Sequence, residues 1–181
     1  LSIPARALVE SDSMSLVKVE PLAFSPDEFA AMVRHEVEVK HARVIMIDSV
    51  AGYRLSLRGA DLISHLHALT KYLQNMGVVV VLVNELETVS GEFRATEVGA
   101  SYLADNIVFL RYIELHRDEE VELHKGIGVL KKRLTDFDRR MREVAFRADG
   151  IHVSAPLAGI SSILGALPSW NGKFSQRPVG K

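Results

Sequence analysis

An α/β fold is predicted for this chain by three observations. Two apolar runs of strand length, Val44-Ile45-Met46-Ile47 and Val78 to Val83, flank a segment with helical periodicity. Short joints connect the three pieces, which is the pattern of a right-handed crossover between parallel strands. Beyond residue 105 several further strand patterns follow one another with no helix between them. That succession predicts antiparallel strands added at one edge of the sheet.

Residues 1–15 mix small and polar types and read as a loose lead-in. Leu16-Val17-Lys18-Val19 alternates like a short strand and is stopped by Pro21. Ser25-Pro26-Asp27-Glu28 is a helix start: Ser25 caps, Pro26 fits the first helical position and Glu28 completes a capping box. Phe29, Met32, Val33 and Val37 then recur at helical spacing. The run from Val44 to Ile47 suits a strand buried on both faces, and it ends in Asp48-Ser49.

Residues 60–76 predict a helix with Leu62, Ile63, Leu66, Leu69 and Leu73 in one stripe and Gly77 as its terminator. The second buried strand ends in Asn84-Glu85. Asn106 to Tyr112 and Ile127 to Leu130 are expected strands, with a polar turn at Arg117-Asp118-Glu119-Glu120. Arg142 to Phe146 and Ile151 to Val153 are two more, joined by the turn signal Ala148-Asp149-Gly150. The segment after Pro168 is rich in Gly, Pro, Lys and Ser and reads as a frayed tail, residues 169–181.

Composition narrows the function classes. With 48% hydrophobic and 25% charged residues the chain is too apolar for intrinsic disorder. The formal net charge of -1 argues against a strongly basic nucleic-acid binder. The absence of Cys excludes disulfides, thiolate catalysis and cysteine-based zinc sites. The longest apolar run is far shorter than the roughly 20 residues a membrane helix needs. No signal pattern opens the sequence, so a cytoplasmic location is the default, and the initial Leu1 suggests a processed or truncated chain.

Several residues are candidates for chemistry. An acid that closes an apolar parallel strand, as Asp48 does, can organise the Mg²⁺ that bridges nucleotide phosphates, because that sheet edge is where doubly wound folds bind ligands. Asp also starts turns, and that reading stays open. Asn84 and Glu85 reach the same edge from the next strand, either as phosphate or water sensors or as turn residues. Lys131-Lys132-Arg133-Leu134-Thr135 leaves a strand directly. Its cations can reach a polyphosphate or form a solvated face. With Arg139, Arg140 and Arg142 they make up the basic cluster, in which only Phe137 supplies an aromatic ring.

Other sites are excluded. No glycine sits in the frame Gly-x-x-x-x-Gly-Lys-Ser/Thr, so a phosphate-cradling loop is missing from this sequence. The histidines show no metal-ligand spacing, and Ser49 and Ser101 lack a nearby base in the sequence, so a hydrolase triad is not supported. Glu85, Glu87, Glu92 and Glu97 form an acidic loop that is either surface or partner-facing.

Taken in order, Val44-Ile45-Met46-Ile47-Asp48-Ser49-Val50, Leu103-Ala104-Asp105-Asn106 leading into Leu110-Arg111-Tyr112, Val129-Leu130-Lys131-Lys132-Arg133 and Asp149-Gly150-Ile151 resemble the KaiC-like branch of the RecA-type ATPases. The lead-in Val19-Glu20-Pro21 with Ser25-Pro26-Asp27-Glu28 fits the same branch. The resemblance spans about residues 16–165 and covers the later part of a family domain.

It implies a RecA-like doubly wound, mainly parallel sheet with antiparallel strands at the C-terminal edge. Residues 1–168 would form that partial domain. It also implies ATP and Mg²⁺ held between subunits of a homo-oligomeric ring, commonly a hexamer. Asp48 matches the Walker B acid that helps hold the metal. Lys131 and Arg133 match the Lys-x-Arg that reaches a neighbour's phosphates, with Lys132 between them and Thr135 at the same nucleotide edge. Glu85 matches an acid found after the second strand.

Leu134 and Phe137 stand where clock-type members often carry Gly and His, which favours the signal-transduction relatives over the oscillator proteins. Without a P-loop, weak nucleotide binding and little turnover are expected of the chain alone. The alternative is a non-enzymatic RecA-like oligomerisation or regulatory module with a protein partner. A DNA-binding recombinase relative ranks below both, because the loop over 86–100 is acidic.

Overall fold

The structure is a computed structural model that describes residues 4–20, 22–57, 61–85, 103–117, 120–158 and 169–170. Most of the acidic loop and the tail from residue 171 lie outside the described residues. The described residues fall into two compact units, residues 4–85 with Leu103, and residues 104–158 with 169–170.

In the first unit a short helix α1 (Ala5–Glu10) forms where the sequence suggested only a loose lead-in. The strand expected at Leu16–Val19 does not form, and the segment is irregular. Only Val19 packs against the core, while Leu16 is 83% exposed. Alternation without a partner strand to complete the ladder did not suffice.

Helix α2 (Pro26–Glu38) begins at the full capping box. The Ser25 Oγ accepts from the Glu28 N–H at 3.2 Å, and the Glu28 carboxylate accepts from the Ser25 N–H at 2.8 Å. Strand β1 (Val44–Asp48) runs into helix α3 (Val50–Ser56), which the sequence analysis did not anticipate. Its signal was present in Val50, Tyr53 and Leu57, which share one helical face and are all buried. Helix α4 (Leu62–Asn75) then crosses to strand β2 (Val79–Val83).

Gly77, with φ +71, closes α4 in a Schellman arrangement. The Val78 N–H donates to the Leu73 carbonyl at 2.9 Å and the Gly77 N–H to that of Gln74 at 3.0 Å. A residue with a Cβ would be strained at that backbone angle.

The β1–β2 pair is parallel, with Val44 opposite Val79 and Asp48 opposite Val83. Its inner face packs Ile45, Ile47, Val80 and Leu82 on the cluster built by Phe29, Val33, Val37, Tyr53, Leu66 and Leu73. The sequence predicted burial on both faces, but Val44 and Met46 are 61% and 63% exposed.

The second unit is a five-stranded sheet among the described residues. Strands β3 (Asn106–Arg117) and β4 (Glu120–Lys132) form a long antiparallel hairpin that extends well beyond the two short strands expected. Strands β5 (Arg142–Arg147) and β6 (Gly150–Pro156) follow as the predicted hairpin. Strand β7 (Ser169–Trp170) pairs parallel to β3, so these two residues of the expected tail belong to the sheet. Phe109, Ile113, Met141 and Leu157 are the buried centre of this unit. The α/β class stands, with the parallel pair first and the antiparallel strands after it. The antiparallel strands hydrogen-bond in a sheet of their own.

Candidate functional site

Two groups of candidate residues emerge, one on each unit. On the first unit, Asp48 closes β1 directly opposite Val83, and Glu85 lies two residues beyond Val83. Parallel pairing therefore delivers both acids to the carboxyl edge of the pair, and both are exposed. Ser49 has a structural role: its Oγ accepts the Gly52 N–H at 3.3 Å and caps α3. The Asp48–Ser49 peptide is cis.

On the second unit the candidate cations stand at the end of β4. Asn106 pairs with Lys132 and Ile107 with Lys131, so the start of β3 lies alongside them. The Lys131 Nζ donates to the Ala104 carbonyl at 2.8 Å. Arg133 meets Asp105 twice: its N–H donates to the Asp105 carbonyl at 2.8 Å, and its Nη1 stands 2.8 Å from Oδ1. Lys132, Arg133 and Thr135 are exposed. Between Arg133 and Thr135, Leu134 adopts φ +76 and is 96% exposed. Ala104 and Asp105 belong to the Leu103-Ala104-Asp105-Asn106 motif, whose role the sequence left open. The strand register supplies that role.

The rest of the basic cluster is tied to acids. Asp138 accepts from Arg140 at 2.8 Å and from Arg142 at 2.9 Å, and Arg139 lies 3.7 Å from Asp136. The hydrogen bonds from Arg140, then from Arg142, hold the Asp138 carboxyl far below the usual carboxylate range. A phosphate backbone would have to compete with these carboxylates, which weighs against a nucleic-acid surface here.

A further cluster escaped the sequence analysis. His124 on β4 lies 2.7 Å from Glu122 and 2.6 Å from Glu143 of β5, one ring nitrogen to each. Partial burial disfavours the charged ring, but the hydrogen bonds to Glu122 and Glu143 outweigh it and raise the pKa. Residues two apart on a strand share a face, which puts Glu122 beside His124, but the Glu143 contact depends on a pairing the sequence did not reveal.

Among the described residues no group of three or more His, Cys, Asp or Glu is placed to hold a metal ion. No described helix is long and apolar enough to cross a membrane.

Residues 7–158 match the family model "ATPase: KaiC". The circadian clock protein KaiC3 of Synechocystis is 26% identical over 102 residues, which cover 56% of this chain and 19% of that protein. A KaiC-like protein from Pyrococcus horikoshii shares the fold, with a TM-score of 0.68 at 20% identity. That match covers 83% of this chain and 64% of the archaeal one. The chain thus spans less than two thirds of each relative's length.

Proposed function

The chain belongs to the KaiC family of ATPases, and we propose that it is the later part of an ATPase domain that holds its nucleotide between subunits. The observation that carries this reading is the delivery of Asp48 and Glu85 to one sheet edge by the β1–β2 register. The KaiC ATPase family generally binds ATP with Mg²⁺, and the donor chemistry here fits both. Mg²⁺ keeps several waters and needs only one or two carboxylates besides the phosphates. The exposed Asp48 meets that need without a three-acid cage among the described residues. Lys131, Lys132 and Arg133 offer the charge and the forked donors that phosphate oxygens take.

In this reading Asp48 holds the metal from one subunit. Lys131 and Arg133 reach the phosphates from the next, with Lys132 adding positive charge and Thr135 a hydroxyl. Glu85 stands at the metal edge, where a carboxylate can orient a water. The metal, when bound, offsets phosphate charge and polarises the bond to be broken. The sequence has no P-loop frame, so this polypeptide binds nucleotide weakly: the loop's backbone donors and Lys would supply much of the phosphate-binding free energy. A role in signal transduction accords with Leu134 and Phe137 at the positions where clock-type sequences differ.

Light scattering on the eluting protein, with and without Mg-ATP, tests the proposal. Assembly that requires Mg-ATP and is lost in Asp48→Ala supports it. Assembly indifferent to nucleotide supports the second reading, a non-enzymatic oligomerisation or regulatory module. The exposed apolar residues Val108, Leu110 and Leu123 on the β3–β4 hairpin favour that reading.

A further inference from the structure

Lys131 and Arg133 are already engaged with oxygen acceptors. The Ala104 carbonyl takes the ammonium, and the Asp105 carboxylate takes the guanidinium. The three cations of 131–133 less the one carboxylate of Asp105 leave a local charge of +2. The Arg133–Asp105 pair is half exposed, at 56% and 47%, so solvent and an incoming anion can both reach it. It is also held in register, because the Arg133 N–H bonds the Asp105 backbone carbonyl independently of either side chain.

We propose that Asp105 is an internal stand-in for phosphate. Its carboxylate occupies the Arg133 fork until a polyphosphate displaces it, and so sets how tightly residues 131–133 take that anion. This rests on the reading that these cations meet phosphate, and it adds a residue to which that reading assigns no function. An exposed ion pair is weak, so the competition is modest, and loss of the carboxylate charge tightens anion binding by about two- to fivefold.

The test is calorimetric titration of inorganic tripolyphosphate into the full chain at low ionic strength. It compares the unmodified chain with Asp105→Asn, Asp105→Glu, Arg133→Ala and the double variant Asp105→Asn with Arg133→Ala. Every Asp105 variant keeps the backbone carbonyl, and thermal unfolding checks that each one folds. Asp105→Asn should bind about two- to fivefold tighter. Asp105→Glu, which restores the carboxylate, should return to the original affinity.

The gain should vanish in the Arg133→Ala background. If Arg133→Ala binds as well as the unmodified chain, the phosphate reading of the segment falls, and this inference with it. If Arg133→Ala weakens binding but Asp105→Asn does not tighten it, the stand-in role alone is overturned. A gain that persists in the double variant also overturns it, since the effect would then be a general change of charge and not competition for the Arg133 fork.

Discussion

Gly128 lies directly opposite Phe109 across the β3–β4 ladder, and a Cβ added at 128 would stand 2.5 Å from the Phe109 Cζ. The ring fills the space that the glycine leaves empty. Phe109 is 7% exposed and anchors the buried centre of its unit, so it cannot swing into solvent without opening that centre. Gly128→Ala should destabilise the protein by about 1–3 kcal/mol. Gly126→Ala should cost less, because the first atom met there, at 2.6 Å, is the terminal Cε of the flexible Met141. Urea denaturation of the two variants checks the order.

Leu134 gives a prediction of opposite sign. It holds φ +76 and is 96% exposed, so its side chain gains almost nothing from burial while its backbone is strained. Leu134→Gly should stabilise the fold by about 0.5–1 kcal/mol, the relief of left-handed strain less the extra entropy of glycine in the unfolded chain. A rise in the urea midpoint at unchanged slope would agree. A fall would show that Leu134 makes a contact that outweighs the strain.

His124 makes stability depend on pH. The hydrogen bonds to Glu122 and Glu143 raise its folded pKa above the ordinary histidine value despite partial burial. The charged ring therefore stabilises the fold fully below the unfolded value of about 6.5. That contribution fades as the pH rises through the folded value. Unfolding free energy should fall over this window, and His124→Gln should flatten the slope. An unchanged slope in the variant would mean that another group titrates.

Much of this architecture was legible in the sequence because local rules and burial agreed. The capping box at Ser25, the leucine stripe of α4 and the glycine that ends it all formed as read. Helix α3 is short and follows β1 after Ser49 alone, so the strand signal overlies the helical spacing of Val50, Tyr53 and Leu57. The reverse error came at Leu16–Val19, where alternation was present but no partner strand stands among the described residues.

For the candidate site, Asp48 and Glu85 were placed at one edge by strand ends alone. The Arg133–Asp105 pair joins residues far apart in the chain, and His124 with Glu143 depends on the β4–β5 pairing. Such long-range contacts carry no local periodicity, so only the register of the sheet revealed them.

In the proposed function one subunit supplies Asp48 and its neighbour supplies Arg133 to a single nucleotide. Mixing two variants tests it most directly, with Mg²⁺ and a fluorescent ATP analogue as the probe. Asp48→Ala keeps the cations and Arg133→Ala keeps the acid, so each alone should bind weakly. In the mixture some interfaces pair an intact Asp48 with an intact Arg133, and binding should exceed that of either variant. A mixture that binds only as the average of its two components would contradict the claim.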